Sequence, residues 1–477
     1  MINKYITATI LAVASTGTIN AQYVRPVPKL VVNITIDQLR SDYIEAFIPY
    51  YKEGGLKKLL RNGAVYTNAQ YMFSPIDRAS AIASVSTGTS PSSNGITGFK
   101  WLNKNTLIPV DCVEDNNYDG IFTNEGSSPK NIATTTINDE LKIATDGEAI
   151  VYSIALDRDA AVIGGGHAAD GALWFNKDNK CWCSSKYYFK KAPNWLESYN
   201  LLYANNFTDE NINANITNVA LECVNSCNMG IDDIPDMLSV TYSVKVPVKK
   251  INKQQIQNTY IQLDRELEKL ISKIENKVGI NNVLFVITST GYCDEKEVNY
   301  EKYRIPSGTF YINRTANLLN MYLGAIYGQD KYIESCFYNQ IFLNLRQIEL
   351  KRININELLS RAQSFLIQNS GIKNVFTSKN LLLYGDNDDS KLHNWYNPDN
   401  CGDLIIEVSP GWKLLNEDTK QQYISKENAL PFPVIFYGTG IKHEENTTPI
   451  TIDRIAPTIA KIIRIRAPNA CSASPLY

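Results

Sequence analysis

Seven residues constrain this chain more than any others: Leu30 to Ile36 is an almost unbroken run of aliphatic and β-branched side chains. A strand that is apolar on both faces needs cover on both, and that places it inside a parallel sheet rather than on a half-exposed one. The run ends abruptly at Asp37-Gln38-Leu39-Arg40. In open α/β sheets ligands gather at such polar breaks, beyond the carboxyl ends of the strands. Similar apolar runs recur at 149–156, 237–242, 283–288 and 433–437. Helical patterns lie between them, the clearest through Tyr260, Leu263, Leu267, Leu270, Ile271 and Ile274, with Gly279 placed to end it. This alternation predicts an α/β fold with a mostly parallel central sheet and helices on both faces.

From about residue 295 to 430 the rhythm changes to a segment rich in Tyr, Asn and charge, with helical stretches near 316–327 and 355–368. We read this as an inserted cap subdomain. The core is then 22–294, completed by a last strand and C-terminal helix in 431–477. With 477 residues, 44% of them hydrophobic, the chain can bury a large core.

The N-terminus reads as a signal peptide over residues 1–21. Lys4 supplies the positive charge, Ile6 to Val13 a short apolar run, and Ala21 a small residue before the cut. No Cys follows that point to carry a lipid, and no later stretch reaches the roughly 20 apolar residues of a spanning helix. An exported protein of the periplasm is expected, with association to the outer membrane only through partners. The 47 basic and 49 acidic residues balance, which argues against nucleic acid or an anionic membrane as partner. Nine Cys are present, Cys181/Cys183 and Cys223/Cys227 close in sequence, and the odd number leaves at least one outside any intrachain disulfide.

Several short motifs occur in a suggestive order. Thr87-Gly88-Thr89 with Pro91 is followed by Asn94-Gly95-Ile96-Thr97-Gly98. Around them stand Asp37-Gln38-Leu39-Arg40, Cys112 with Asp115, Ser128 with Asn131, Asp139-Glu140-Leu141-Lys142, Gly166-His167-Ala168-Ala169-Asp170, and Asp453 with Pro457-Thr458. In this order and spacing the chain resembles the alkaline phosphatase superfamily. The closest branch is the phosphate-irrepressible alkaline phosphatases, with the type I phosphodiesterases and nucleotide pyrophosphatases. The resemblance implies an alkaline-phosphatase-like sandwich with a cap.

It also implies a site of two zinc ions, held by carboxylates and imidazoles, beside a Thr or Ser nucleophile. Asp37 matches the first metal-binding Asp. The nucleophile position falls on Arg78, which carries no nucleophilic oxygen. The remaining ligand positions fall on Val246, Lys250, Ser289, Thr290 and Pro431, the helper Asn on Phe99, and the phosphate-gripping Lys-x-Arg pair on Asp157 and Asp159. Only three His occur, His167, His393 and His443, and none is spaced as a ligand of that site.

These substitutions set three expectations against one another. The first is a catalytically inactive scaffold or subunit of an envelope protein complex, with no catalytic residue, no cofactor, and Asp37 as a vestigial ligand. The second is a metal-dependent phosphomonoesterase or phosphodiesterase with a relocated site. The third is a binding protein that grips an anion through Arg78 and Arg158. Arg78 is expected to pair with Asp37 or Asp77, Asp157-Arg158-Asp159 to form a solvated loop, and Asp386, Asp388 and Asp389 an acidic surface loop.

Overall fold

The computed structural model describes residues 26–203, 212–245, 253–293, 303–383, 390–423 and 431–477. Residues 1–21, where a signal peptide is expected, together with Val246, Lys250 and the acidic run 386–389, lie outside them.

An eleven-stranded sheet organises the molecule. Its main strands are β1 (Leu30–Asp37), β2 (Ala64–Gln70), β3 (Val151–Ala155), β4 (Gly171–Asn176), β5 (Cys181–Ser185), β6 (Asp236–Ser243), β7 (Val283–Ser289) and β8 (Phe432–Gly438). β1 lies at the centre, parallel to β7 on one side and β6 on the other, and β3 and β4 extend the parallel run. β8, β2 and β5 join antiparallel towards the two edges. The sheet is therefore mixed but mostly parallel, as the apolar runs predict.

Helices α1 (Arg78–Thr87), α2 (Arg158–Gly165), α3 (Ile212–Ser226), α4 (Lys253–Val278) and α5 (Ile455–Ile463) cover it. The alternation along β1 divides the core. Leu30, Val32, Ile34 and Ile36 pack with Tyr260, Leu263 and Leu267 of α4, all of them buried. Each such aliphatic side chain contributes about 1.5–3 kcal/mol relative to exposure. The opposite face starts with Val31, in a second core with Ile455 and Ile459 of α5. It then turns polar through Asn33, Thr35 and Asp37, all buried. This polar file ends at Asp37, the last residue of β1.

Between residues 310 and 414 a separate hydrophobic core forms, with Leu319, Leu323, Leu358 and Leu366 at its centre. It carries a four-stranded sheet of Ile333–Phe337, Gln340–Leu343, Leu404–Val408 and Ile372–Thr377. The helices there span Ile312–Tyr327 and Ile355–Leu366, close to the stretches read from periodicity. The strands were not foreseen: they are short, and their polar alternation looks like loop in a Tyr- and Asn-rich segment.

Candidate active site

At the carboxyl ends of β1 and β7 the polar file meets Thr290, Tyr292 and Arg78. Asp37 closes β1 and is 3% exposed. Thr290 follows β7, and its hydroxyl donates to Asp37 Oδ1 at 2.9 Å while accepting from the Gln38 amide at 2.9 Å. Tyr292 adds a second hydrogen bond to the carboxylate. Burial nonetheless outweighs these contacts and holds the Asp37 carboxyl above the usual range, although the Arg78 guanidinium pulls the other way. Gly291 makes the turn possible: its φ is +72°, and a Cβ there would lie 2.6 Å from the Tyr71 ring.

Arg78 is the first residue of α1. Asp77 caps that helix, accepting from the Ser80 amide at 2.9 Å, while the Ser80 hydroxyl accepts from the Asp77 amide at 3.0 Å. The other Asp77 oxygen accepts from the Phe99 amide at 2.6 Å. Asp77 is thus committed to backbone donors.

Arg78 turns instead to the start of α2. Its Nε and Nη2 donate to the two oxygens of Asp159 at 3.1 and 2.7 Å, and its Nη1 lies 2.8 Å from Asp157. The Asp159 side chain is 2% exposed, that of Arg78 23% and that of Asp157 41%. Two expectations are corrected here. Asp77 is not the partner of Arg78, because the helix cap takes it. Residues 157–159 are not a solvated loop, because α2 begins at Arg158 and buries Asp159 beneath the guanidinium. The positions that the resemblance assigns to a nucleophile and a cationic pair have exchanged charge, and they close on each other as an ion-pair fork.

Arg158 does not join this cluster. It points to Asp111, with Nη2 to Oδ2 at 2.5 Å, and to Glu125 at 3.6 Å. Arg78 and Asp37 are brought together, each feeling the other's charge, whereas Arg158 serves a neighbouring network. Phe99 is 39% exposed, and Pro431 lends its carbonyl to the Ser41 amide at 3.3 Å. Sequence reasoning missed Tyr292, which no pattern places beside a residue 255 positions earlier, and also the depth of Asp159.

The three His lie elsewhere. His167 is held between Asp139 at 2.9 Å and the Ile132 carbonyl at 3.1 Å. His443 contacts the Gly63 carbonyl at 3.0 Å, and His393 that of Leu381. Among the described residues no group of three or more His, Cys, Asp or Glu is arranged to hold a metal ion. Around Asp37 the neighbours are a hydroxyl, a phenol and a guanidinium, a set that does not fit two zinc ions.

Residues 31–430 match the family model for type I phosphodiesterase / nucleotide pyrophosphatase. The chain belongs to that family. Alkaline phosphatase PafA of Elizabethkingia meningoseptica is 25% identical over 94% of this chain and 94% of its own. Alkaline phosphatase PhoV of Synechococcus elongatus is 24% identical over 93% of this chain and 91% of its own. The crystal structure of PafA superposes with a TM-score of 0.81 at 24% identity, covering 95% of this chain and 99% of the other, which establishes the alkaline-phosphatase-like fold.

These findings correct the expectation of an inactive scaffold without a cofactor. Relatives matched along nearly their whole length are named alkaline phosphatases, and nothing in the geometry shows that activity is lost. Losing one arrangement of groups does not remove every route to the same reaction, and two of those positions lie outside the described residues.

Proposed function

We propose that this chain is a phosphoric ester hydrolase that takes phosphate monoesters or diesters at the partly exposed Arg78–Asp157 edge. The family match over residues 31–430 carries this reading. The arrangement around Arg78 supports it. Asp159 anchors the Nε and Nη2 edge, leaving Nη1 on the half-open side with Asp157. A phosphoryl oxygen competes with Asp157 for Nη1 while the fork stays oriented, and a fixed guanidinium suits the planar recognition of phosphate.

Without a side-chain hydroxyl at position 78, attack falls to water. Its oxygen bonds to phosphorus as the ester P–O bond breaks, and the proton it loses replaces the one given to the departing alcohol. Asp157 stands at the open edge and can pass a proton to the departing alcohol oxygen once the phosphoryl group takes Nη1 from it; burial raises its pKa, the Arg78 guanidinium pulls it down, and the Asp159 charge raises it. We also infer that the chain is exported through residues 1–21. Among the described residues no helix is long and apolar enough to cross a membrane.

The test is hydrolysis of a chromogenic phosphate monoester and a diester by purified protein, assayed as isolated, with added zinc, and after chelation, with bound zinc measured alongside. Turnover of either ester is the expected outcome. No turnover under any of the three conditions would overturn the proposal.

A further inference from the structure

Away from Asp37 and Arg78, β5 lies near one edge of the mixed sheet beside the short strand Gly120–Ile121, which pairs with Ser184 and Ser185. Cys181 and Cys183 alternate onto the same face of β5. Their sulfurs stand 3.7 Å apart. The chain beside them turns at Phe122, whose φ of +62° is uncommon for a residue with a bulky side chain. That turn aims the Phe122 carbonyl at both thiols, 3.6 Å from Cys181 Sγ and 3.2 Å from Cys183 Sγ. Asn179 pins the same carbonyl through its Nδ2 at 2.9 Å. Cys183 is buried and Cys181 is half-buried, so one sulfur anchors the pair while the other meets solvent.

Two sulfurs and a carbonyl oxygen converging on one point form a donor set with a clear preference. Soft thiolates select soft metal ions, and a monovalent d10 cation is satisfied by two of them, whereas Zn²⁺ takes four ligands in structural sites. We propose that Cys181 and Cys183 form a two-thiolate site for a soft monovalent cation of the copper(I) class. Binding replaces the two S–H protons, which leave to solvent, so sulfur is neither oxidised nor reduced. Cys223 and Cys227 are the internal comparison. Cys223 lies in α3 and Cys227 just past its end, where the Tyr152 hydroxyl rather than a carbonyl meets the Cys227 sulfur.

Full-length reduced protein, titrated anaerobically with copper(I) against a chromophoric chelator, tests this. Wild type is expected to retain one ion per chain that Cys181→Ser loses, while a Cys223→Ser/Cys227→Ser variant keeps it. Cys181 is partly exposed, so its serine variant should melt with the wild type, and thiolate-to-metal absorption provides a second readout. If Cys181→Ser retains as much copper as wild type, or the absorption survives in it, the site is refuted.

Discussion

Asp37 and Asp139 are equally buried, each 3% exposed, yet their carboxyls are shifted in opposite directions. Asp139 receives the Thr136 amide at 2.8 Å, the Ala168 amide at 2.8 Å and the His167 ring at 2.9 Å. Those donors hold it below the usual carboxylate range despite its burial. Asp37 receives hydroxyl donors and a guanidinium already shared with Asp157 and Asp159, so desolvation wins and its pKa rises. The difference teaches that the donors aimed at a buried carboxylate, more than its depth, decide whether it serves as a fixed anion or as a proton carrier. Asp139 is a structural anion in the first turn of the helix Ile137–Ala144, and it holds the Gly166–Asp170 turn against that helix. Asp37 is buried at the end of β1, beside the Arg78 guanidinium.

The largest expected effect comes from removing the shared cation. Arg78→Ala leaves Asp157 and Asp159 without their partner, at a cost of about 3 kcal/mol for a mostly buried pair, read as a lower melting temperature. It should also push the Asp37 pKa higher still, sharpening the contrast. An unchanged melting temperature would break the account of the fork.

Asp139→Asn comes next. The amide turns a donor towards the Thr136 amide and loses the charge that holds His167, costing about 2 kcal/mol at neutral pH. The lowered Asp139 pKa means that its contribution is present above the unfolded value of about 3.9 and is lost as pH falls through the lower folded value. His167 is raised by its bond to Asp139 and works the other way. Its contribution is complete below the unfolded value of about 6.5 and is lost as pH rises through the higher folded value. Melting curves from acid to mildly alkaline pH should lose both slopes in the variant.

A smaller effect is expected for Thr290→Val, which removes one donor from Asp37 and an acceptor from the Gln38 amide, at about 1 kcal/mol. Asp37→Asn should cost least. An amide oxygen still accepts from Thr290, and a carboxyl with a raised pKa favours the folded state fully only below its unfolded value, losing that advantage as pH rises through the folded one. The variant is therefore expected to match or exceed wild type in melting temperature at pH 7. A clear drop there, as large as that of Asp139→Asn, would erase the distinction between the two carboxylates.

Much of the fold was legible because the signals are local and redundant. The run 30–36 had to be a covered strand, and the spacing through Tyr260 and Ile274 had to be a helix. Asp37 at the end of β1 followed from the same pattern. The partner of Arg78 did not. Asp159 lies 81 positions away, and an Asp-Arg-Asp triplet looks solvated until a helix start buries its third residue. Tyr292 and the carbonyl of Phe122 were equally hidden, since both act through tertiary placement. The functional reading went astray for a related reason: it counted the residues of one arrangement and treated their absence as the absence of activity.

The account rests on Arg78 as the phosphate contact of a working hydrolase, and Arg78→Lys addresses this most directly. Lysine keeps the charge but not the planar fork, so the protein should remain folded while losing about 100-fold in turnover of the phosphate ester that the wild type hydrolyses. Equal turnover by the folded lysine variant would contradict the account.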